Sequence, residues 1–186
     1  MALTVDTNIY PNYVNSEVVG NKSSEYYFGD EYIGKATTTT NSSDKGQRLG
    51  IATFGDRGYI AMYSDSSTKE NPIVKVGKYE VKINEVDPNN ATRLEMFALL
   101  SYMDKNGLTN NHGMSSYSKM MAYSSQAEAN GVCSGLDDVS FAFSKKRDWI
   151  SILNNAKDTF LNIKETYSQA LNIDKMIFSL TKYFNR

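Results

Sequence analysis

The chain has 186 residues, 40% hydrophobic and 22% charged, which is typical of one globular domain with an appendage. A net charge of -1 provides no overall positive field to recruit nucleic acid, so a nucleic-acid partner is not expected. One cysteine, Cys133, excludes an intramolecular disulfide, and with one histidine, His112, a Cys/His zinc site cannot form without carboxylates.

Residues 1–48 are polar and of low complexity, because Ser, Thr and Asn account for sixteen of them. Such a segment buries little apolar area, so we expect it to be extended. Aromatic side chains nevertheless recur, and Tyr26, Tyr27 and Phe28 are candidates for contact with this domain or another chain. The stretch SEYYFGDEYIG around them predicts a short strand.

Residues 49–86 predict β structure. The stretches LGIATF and RGYIAMYS are rich in β-branched and aromatic residues and are separated by Gly55-Asp56, and PIVKV and KYEVKI are separated by Gly77. In KYEVKI, apolar and charged residues alternate, as in an antiparallel strand with one buried face. These residues therefore predict four short strands in two hairpins, which make a small meander.

Helical periodicity follows the strands. A first helix over RLEMFALLSYM is predicted to begin at Pro88 or with Asn90 as its N-cap. A second covers SSYSKMMAYSSQAEAN and ends at Gly131, a residue type favoured just after a helix. Residues 132–143 predict a loop, so we expect residues 49–143 to form an α+β domain.

The last 43 residues carry the strongest pattern in the chain. Apolar residues alternate at spacings of four and three, which is a heptad seam, at Trp149, Leu153, Ala156, Phe160, Ile163, Tyr167 and Ala170. The seam slips by one residue near Leu171-Asn172 and resumes at Ile173, Ile177, Leu180 and Phe184. Because residues 144–186 contain no Pro or Gly, they predict one amphipathic helix of about 60 Å, or a helical hairpin bent at the slip.

This seam has two interpretations. It packs on the protein's own domain, or it binds a protein partner or a second copy of the chain. Under the second interpretation the candidate contact residues are Trp149, Leu153, Phe160, Ile163 and Tyr167.

The stretch YMDKNGLTNNHG, residues 102–113, resembles the start of a calcium loop. If Gly107 takes the sixth position of an EF-hand, Asp104 fits the third. Tyr102 and Gly113 then occupy positions one and twelve, where calcium needs carboxylates. We therefore interpret the stretch as a corner between two helices, in which Asn-Gly supplies a positive φ, and predict no metal site.

No catalytic constellation is evident. Cys133 and His112 lie in different predicted loops without an orienting Asn or Asp. The adjacent carboxylates Asp30-Glu31 and Asp137-Asp138 do not form a dyad by themselves, and SGLDDVSF predicts a loop with a helix-capping Asp. Phosphate-loop, dinucleotide-binding and zinc-protease motifs are missing, so no cofactor is predicted and an enzyme is disfavoured.

The stretch SKKRDW, residues 144–149, places three basic residues at a predicted helix start, where the helix dipole favours anions. It indicates either a contact with an anionic partner or a solvated first turn with Ser144 as N-cap. Residues 145–186 carry a net charge of +4, which fits either a solvated helix face or weak attraction to an anion.

Two resemblances add to these patterns. The opening MALTVDTNI resembles the flagellin N-terminus, which implies export by a flagellar-type route. The block Val76–Leu153, with KYEVKINEVDPNNATRLEMFALLSYMDKNGL and KKRDWISIL, resembles uncharacterised proteins of Gram-positive bacteria, chiefly Firmicutes. That resemblance implies no activity and no site residues.

Two features of the sequence bear on where the protein is located. No stretch reaches the roughly 18 to 20 apolar residues of a membrane span. The N-terminus lacks the basic and continuous apolar regions of a secretory signal. We expect a protein that is cytoplasmic or secreted without a standard signal peptide.

Together these patterns predict an α+β fold, with a small antiparallel sheet of two hairpins, a helical pair, and a long C-terminal helix or helical hairpin over residues 144–186. The leading interpretation is a non-enzymatic interaction or structural protein. The alternative is a small-ligand-binding or enzymatic module whose site is formed by the loops at 104–113 and 132–138.

Overall fold

The computed structural model describes the backbone of residues 23–28 and 31–37 and all atoms of residues 47–109 and 114–185. Strands β1 (Ser23–Phe28) and β2 (Glu31–Thr37) pair antiparallel, with a bulge between Tyr26 and Tyr27. One strand was predicted in this stretch, but two are present.

A second antiparallel sheet has four strands in the order β3-β4-β5-β6. These are β3 (Arg48–Phe54), β4 (Arg57–Tyr63), β5 (Ile73–Val76) and β6 (Tyr79–Lys82). Its tight turns lie at the two predicted glycines, Gly55 and Gly77, both with positive φ. The predicted meander is confirmed.

Five helices are described: α1 (Arg93–Lys105), α2 (Ser116–Ala129), α3 (Val139–Ala142), α4 (Trp149–Leu161) and α5 (Tyr167–Phe184). Short 3-10 turns cover Ile83–Glu85 and Lys164–Thr166. A sheet followed by helices, the last of them long, confirms the predicted α+β fold. The short helix α3 lies where residues 132–143 were predicted to be loop, and Asp138 caps it by accepting from Ser140 N at 2.8 Å.

Helix α1 lies at the centre of the protein, between the sheet and α2, and is buried on nearly all sides. Its backbone approaches β3 closely at Gly50, where a Cβ atom would overlap Ser101 Oγ and contact Phe97. A larger residue there would force the Ser101 side chain to shift, so glycine suits the close packing of the sheet on the helix. Aromatic rings fill the same layer, since Phe54 contacts both Phe97 and Tyr117 edge-on.

The predicted start of α1 at Pro88 or Asn90 was wrong. Thr92 is the N-cap, and it forms a capping box with Glu95, whose carboxylate accepts from Thr92 N at 2.6 Å. Asn90 belongs to a preceding turn, because its N–H donates to Asp87 O at 2.8 Å.

The start of the C-terminal helical region was also predicted wrongly. Ser144 is not the N-cap, because it lies in the turn after α3, where its N–H donates to Phe141 O, and Arg147 further along pairs with Ala91. Helix α4 instead begins after Asp148, which accepts from Ser151 N at 2.9 Å.

A single helix does not span residues 144–186, and the break is not at Leu171-Asn172. It falls between α4 and α5, where Ile163 is extended with φ -122° and ψ 112°. At the break, the Thr166 hydroxyl lies 2.9 Å from both Phe160 O and Ile163 O and shares its one proton between carbonyl groups that a continuing helix would use. The two helices pack on each other, and Lys157 and Asp174 join them at 3.0 Å.

Candidate interaction surface

Helix α5 has a buried face and an exposed apolar face. The buried face carries Ala170, Ile173, Met176 and Leu180. The opposite face carries the α5 stripe, which we define as Tyr167, Leu171 and Phe178, with 53%, 45% and 65% of each residue exposed. Spacings of four and seven residues place these three side chains in one row along the helix.

A groove runs beside the α5 stripe. Its walls are the α1–α2 corner on one side and α5 on the other, and its volume is about 490 Å³. It is lined by Gly107, Leu108, Thr109, Leu171, Asp174, Lys175, Phe178 and Ser179. The α5 stripe therefore contributes to one wall of a concave surface. The lining of this surface also contains two charged residues, Asp174 and Lys175.

The structure separates the five predicted contact residues of the heptad seam. Trp149 and Leu153 are fully buried in the protein's own core, and Trp149 Nε1 donates to Ala91 O at 2.8 Å. Phe160 is half-buried and packs edge-on against Tyr123 of α2. Ile163 and Tyr167 are exposed, at the break between α4 and α5. Of the five predicted residues, only Tyr167 belongs to the α5 stripe.

Leu171 and Phe178 were missed by the sequence analysis, which followed the seam through Ile173 and Ile177. A signal for them exists in the stretch ALNIDKMIF. Adjacent apolar residues on a helix point about 100° apart, so a helix with runs of them cannot bury them all on one side.

The side chains of Tyr26, Tyr27 and Phe28 lie outside the described residues, as do residues 110–113 with His112. The part of the 104–113 loop that is described acts as a helix corner. Gly107 has φ +66°, and its N–H and that of Leu108 bond Asp104 O and Met103 O, which closes the end of α1.

The carboxylate of Asp104 joins α1 to α2. Its Oδ2 accepts from Ser116 N at 2.8 Å, and its Oδ1 accepts from Ser116 Oγ at 2.5 Å and from Thr109 Oγ1. A carboxylate at a helix N-terminus is also stabilised by the helix dipole. The one carboxylate of the calcium-like stretch is thus occupied by internal bonds.

The 132–138 loop contributes Asp137 to the lining of a different cavity, which has a volume of about 400 Å³. Arg93 and Tyr117 line the same cavity. Arg93 is only 5% exposed, although no carboxylate pairs with it among the described residues. Its Nε donates to Tyr117 Oη at 2.9 Å, Nη1 to Leu136 O and Nη2 to Thr53 O at 3.2 Å. Its guanidinium also lies 4.6 Å from the centre of the Phe54 ring.

Arg93 thereby bonds α2, the 132–138 loop and β3 from the first turn of α1. Burial raises the pKa of Tyr117 to about 12, although the neighbouring Arg93 opposes the shift. Tyr117 is therefore a neutral hydroxyl at physiological pH and is suited to accept from the guanidinium.

The remaining sequence candidates also have internal roles. Cys133 is half-buried beside the core, and burial raises the pKa of its thiol, which disfavours the nucleophilic thiolate. In SKKRDW, Arg147 donates to Ser134 O at 2.8 Å and Gly135 O at 3.0 Å, and Lys145 lies 4.9 Å from the Phe141 ring centre. Lys146 lies 3.9 Å from Glu95.

Among the described residues, no group of three or more His, Cys, Asp or Glu is placed to hold a metal ion. None of the described helices is both long and apolar enough to cross a membrane. No family model, curated protein or solved structure matches the chain.

Proposed function

We propose that the protein is a non-enzymatic interaction module that binds another protein chain through the α5 stripe. The observation that carries the proposal is Phe178, which is 65% exposed on the same helix face as Tyr167 and Leu171. Contiguous apolar side chains rimmed by polar ones mark interaction sites on soluble proteins. Covering such a row removes apolar area from water, which is the main driving force of protein association.

The polar side chains support a non-enzymatic role. Asp104, Arg93 and Arg147, each in a loop or helix end where chemistry could occur, bond backbone or side-chain groups of the chain itself. Their geometry connects elements of the fold. The two loops of the alternative site each line a separate cavity, one against α5 and one against Arg93.

Site-specific photo-crosslinking tests the proposal. A photoreactive amino acid, p-benzoylphenylalanine, replaces Phe178 in the full chain, which is then irradiated inside the cells that produce it. We expect a discrete protein adduct from position 178. The matched control carries the probe at Glu70, which is exposed in the connection between β4 and β5, and should give none. Irradiation without an adduct at 178, or with the same adducts at both positions, would overturn the proposal.

A further inference from the structure

We propose that the outer face of the four-stranded sheet is a docking surface for the β1–β2 hairpin of the same chain. We define the outer face as the side of the sheet that points away from α1. Two side chains of β4 carry the proposal, because they point away from α1 and are nevertheless buried. Neither of them belongs to the α5 stripe.

The pairing of the strands separates the two faces of the sheet. Successive residues of a strand point to opposite faces, and residues paired across two strands share one face. Phe54, Tyr59 and Ala61 belong to the core that the sheet forms with α1, where Phe54 contacts Phe97 edge-on. The outer face therefore carries the alternate residues, which are Ile51 and Thr53 of β3, Gly58, Ile60 and Met62 of β4, Ile73 and Lys75 of β5, and Glu80 and Lys82 of β6.

The outer face is buried along β4 and exposed at its edges. Ile60 is 6% exposed and Met62 is 4% exposed, although both point away from α1. Ile51, which pairs with Ile60 from the edge strand β3, is 40% exposed, and Glu80 on the other edge strand is exposed as well. A bare outer face would expose the side chains of β4 like those of its neighbours. A narrow element therefore packs on this face along β4.

The β1–β2 hairpin is suited to be that element. Strand β2 contacts β4. A hairpin is only as wide as two strands, so it can bury β4 and leave the edge strands of a four-stranded sheet partly exposed. Its two strands contain three Tyr, one Phe and one Ile, and packing such side chains on Ile60 and Met62 removes apolar area from water. A two-stranded hairpin by itself is at best marginally stable in water, so it needs a surface of this kind.

The connection between the hairpin and the sheet favours docking within one chain. Strand β2 ends at Thr37 and β3 begins at Arg48, so only the ten residues 38–47 join them. Ten residues span at most about 33 Å, and β4 is the immediate neighbour of β3, so the hairpin is kept within reach of the outer face. Short linkers confer effective concentrations on the order of 1 mM, which a hairpin from a second chain at micromolar concentration does not match.

Methionine oxidation in the purified full chain tests the proposal. Hydrogen peroxide converts exposed methionine to its sulfoxide, and mass spectrometry of the peptides reports each methionine separately. We expect Met62 to react as slowly as Met96 and Met120, which are fully buried in the core. Met114 is 55% exposed and should react quickly. If Met62 reacts as fast as Met114, the outer face has no occupant and the proposal is overturned.

A variant with charged residues in the hairpin identifies the occupant. Tyr27→Asp and Phe28→Asp are combined, because successive residues of a strand point to opposite sides and the pair therefore alters both faces of the hairpin. Met62 should then be oxidised about tenfold faster, since Ile51, at the uncovered edge of the same face, is 40% exposed against 4% for Met62. Unchanged protection of Met62 would show that the hairpin does not occupy the outer face.

The matched control is Thr38→Asp combined with Thr39→Asp, which adds the same charge just after β2 and should leave Met62 protected. Met96 should stay slow in both variants, because the core does not depend on the hairpin. If the charged hairpin loosens the core as well, the milder pair Tyr27→Ala and Phe28→Ala replaces it and should still accelerate oxidation of Met62 alone.

Dilution separates the chain's own hairpin from that of a second copy. Protection within one chain does not depend on protein concentration, so Met62 should be oxidised at the same rate at about 1 μM and about 100 μM protein. Protection that is lost on dilution would assign the outer face to a second copy and overturn docking within one chain. Neither result affects the photo-crosslink at position 178, so the α5 stripe is tested separately.

Discussion

The buried guanidinium of Arg93 gives the most specific stability prediction. Arg93→Met keeps most of the side-chain volume but removes every donor that reaches Tyr117 Oη, Leu136 O and Thr53 O. The bonds to Tyr117 and Leu136 are buried, so the oxygen atoms left behind cannot turn to water.

Each buried polar atom left without a partner costs about 1–3 kcal/mol. Two such atoms give about 2–6 kcal/mol, and the relief of a buried, unneutralised charge offsets part of it. We therefore expect Arg93→Met to lower the free energy of unfolding by about 3 kcal/mol, which corresponds to a Tm decrease of roughly 6–12 °C for a chain of this size. Arg93→Lys should also destabilise, because one ammonium group cannot span three acceptors in different directions.

Urea titrations followed by circular dichroism measure the effect, with Lys69→Met as the matched control. Lys69 is exposed, so its replacement removes the same charge and should change stability by no more than about 0.5 kcal/mol. If Arg93→Met unfolds at the same urea concentration as the unmodified chain, or at a higher one, the desolvation cost of the guanidinium exceeds the value of its bonds. The role assigned to Arg93 would then be wrong.

Three further predictions concern other buried contacts. Since the pKa of Tyr117 is about 12 in the fold and 10 in the unfolded chain, the unfolded state ionises first. The free energy of unfolding should therefore fall between pH 10 and 12, by up to about 1.4 kcal/mol per pH unit, and Tyr117→Phe should reduce that slope in urea titrations. Asp104→Ala should cost about 2–3 kcal/mol by releasing the start of α2, measured in the same way, whereas Lys105→Ala should be nearly neutral. Gly50→Val should cost about 1–3 kcal/mol in thermal unfolding through its overlap with Ser101 and α1.

Each of these predictions has a contrary result. If the free energy of unfolding of Tyr117→Phe falls between pH 10 and 12 as steeply as that of the unmodified chain, the fall is caused by another group. Equal stability of Asp104→Ala and Lys105→Ala would show that the carboxylate does not hold the corner. For Gly50→Val the matched control is Thr53→Val on the exposed face of the same strand, and equal losses at both positions would contradict close packing at Gly50.

The sheet could be predicted because its signals are local. Strand alternation and the turn glycines at positions 55 and 77 act over a few residues, and both were interpreted correctly. The start of α1 was missed although its signal is also local, since Thr92 and Glu95 have the spacing of a capping box. The prediction instead placed the start at Pro88 or Asn90, two turn-forming residues that come earlier in the chain.

The break before α5 and the burial of Arg93 could not be predicted in this way. No Pro or Gly marks the break, and the Thr166 hydroxyl contacts there, to Phe160 O and Ile163 O, appear only once the chain has turned. Arg93 is buried because three distant segments present oxygen atoms to it, and no short pattern encodes that coincidence. The α5 stripe could be predicted only in part. Its apolar residues are evident in the sequence, but which of them face outward depends on the position of the break before α5.

The bridge between Ala91 and Arg147 has a consequence for the course of folding. It joins the start of α1 to the start of α4 and so closes a loop that contains α1, α2 and α3. The chain must lose the entropy of that closure before Trp149 can reach its place, so we expect docking of α4 to be a late and comparatively slow event. Closure entropy grows only with the logarithm of loop length, at about 0.6 kcal/mol per doubling. A few residues inserted into a connection inside the loop should therefore change the closure cost by only a small fraction of that amount.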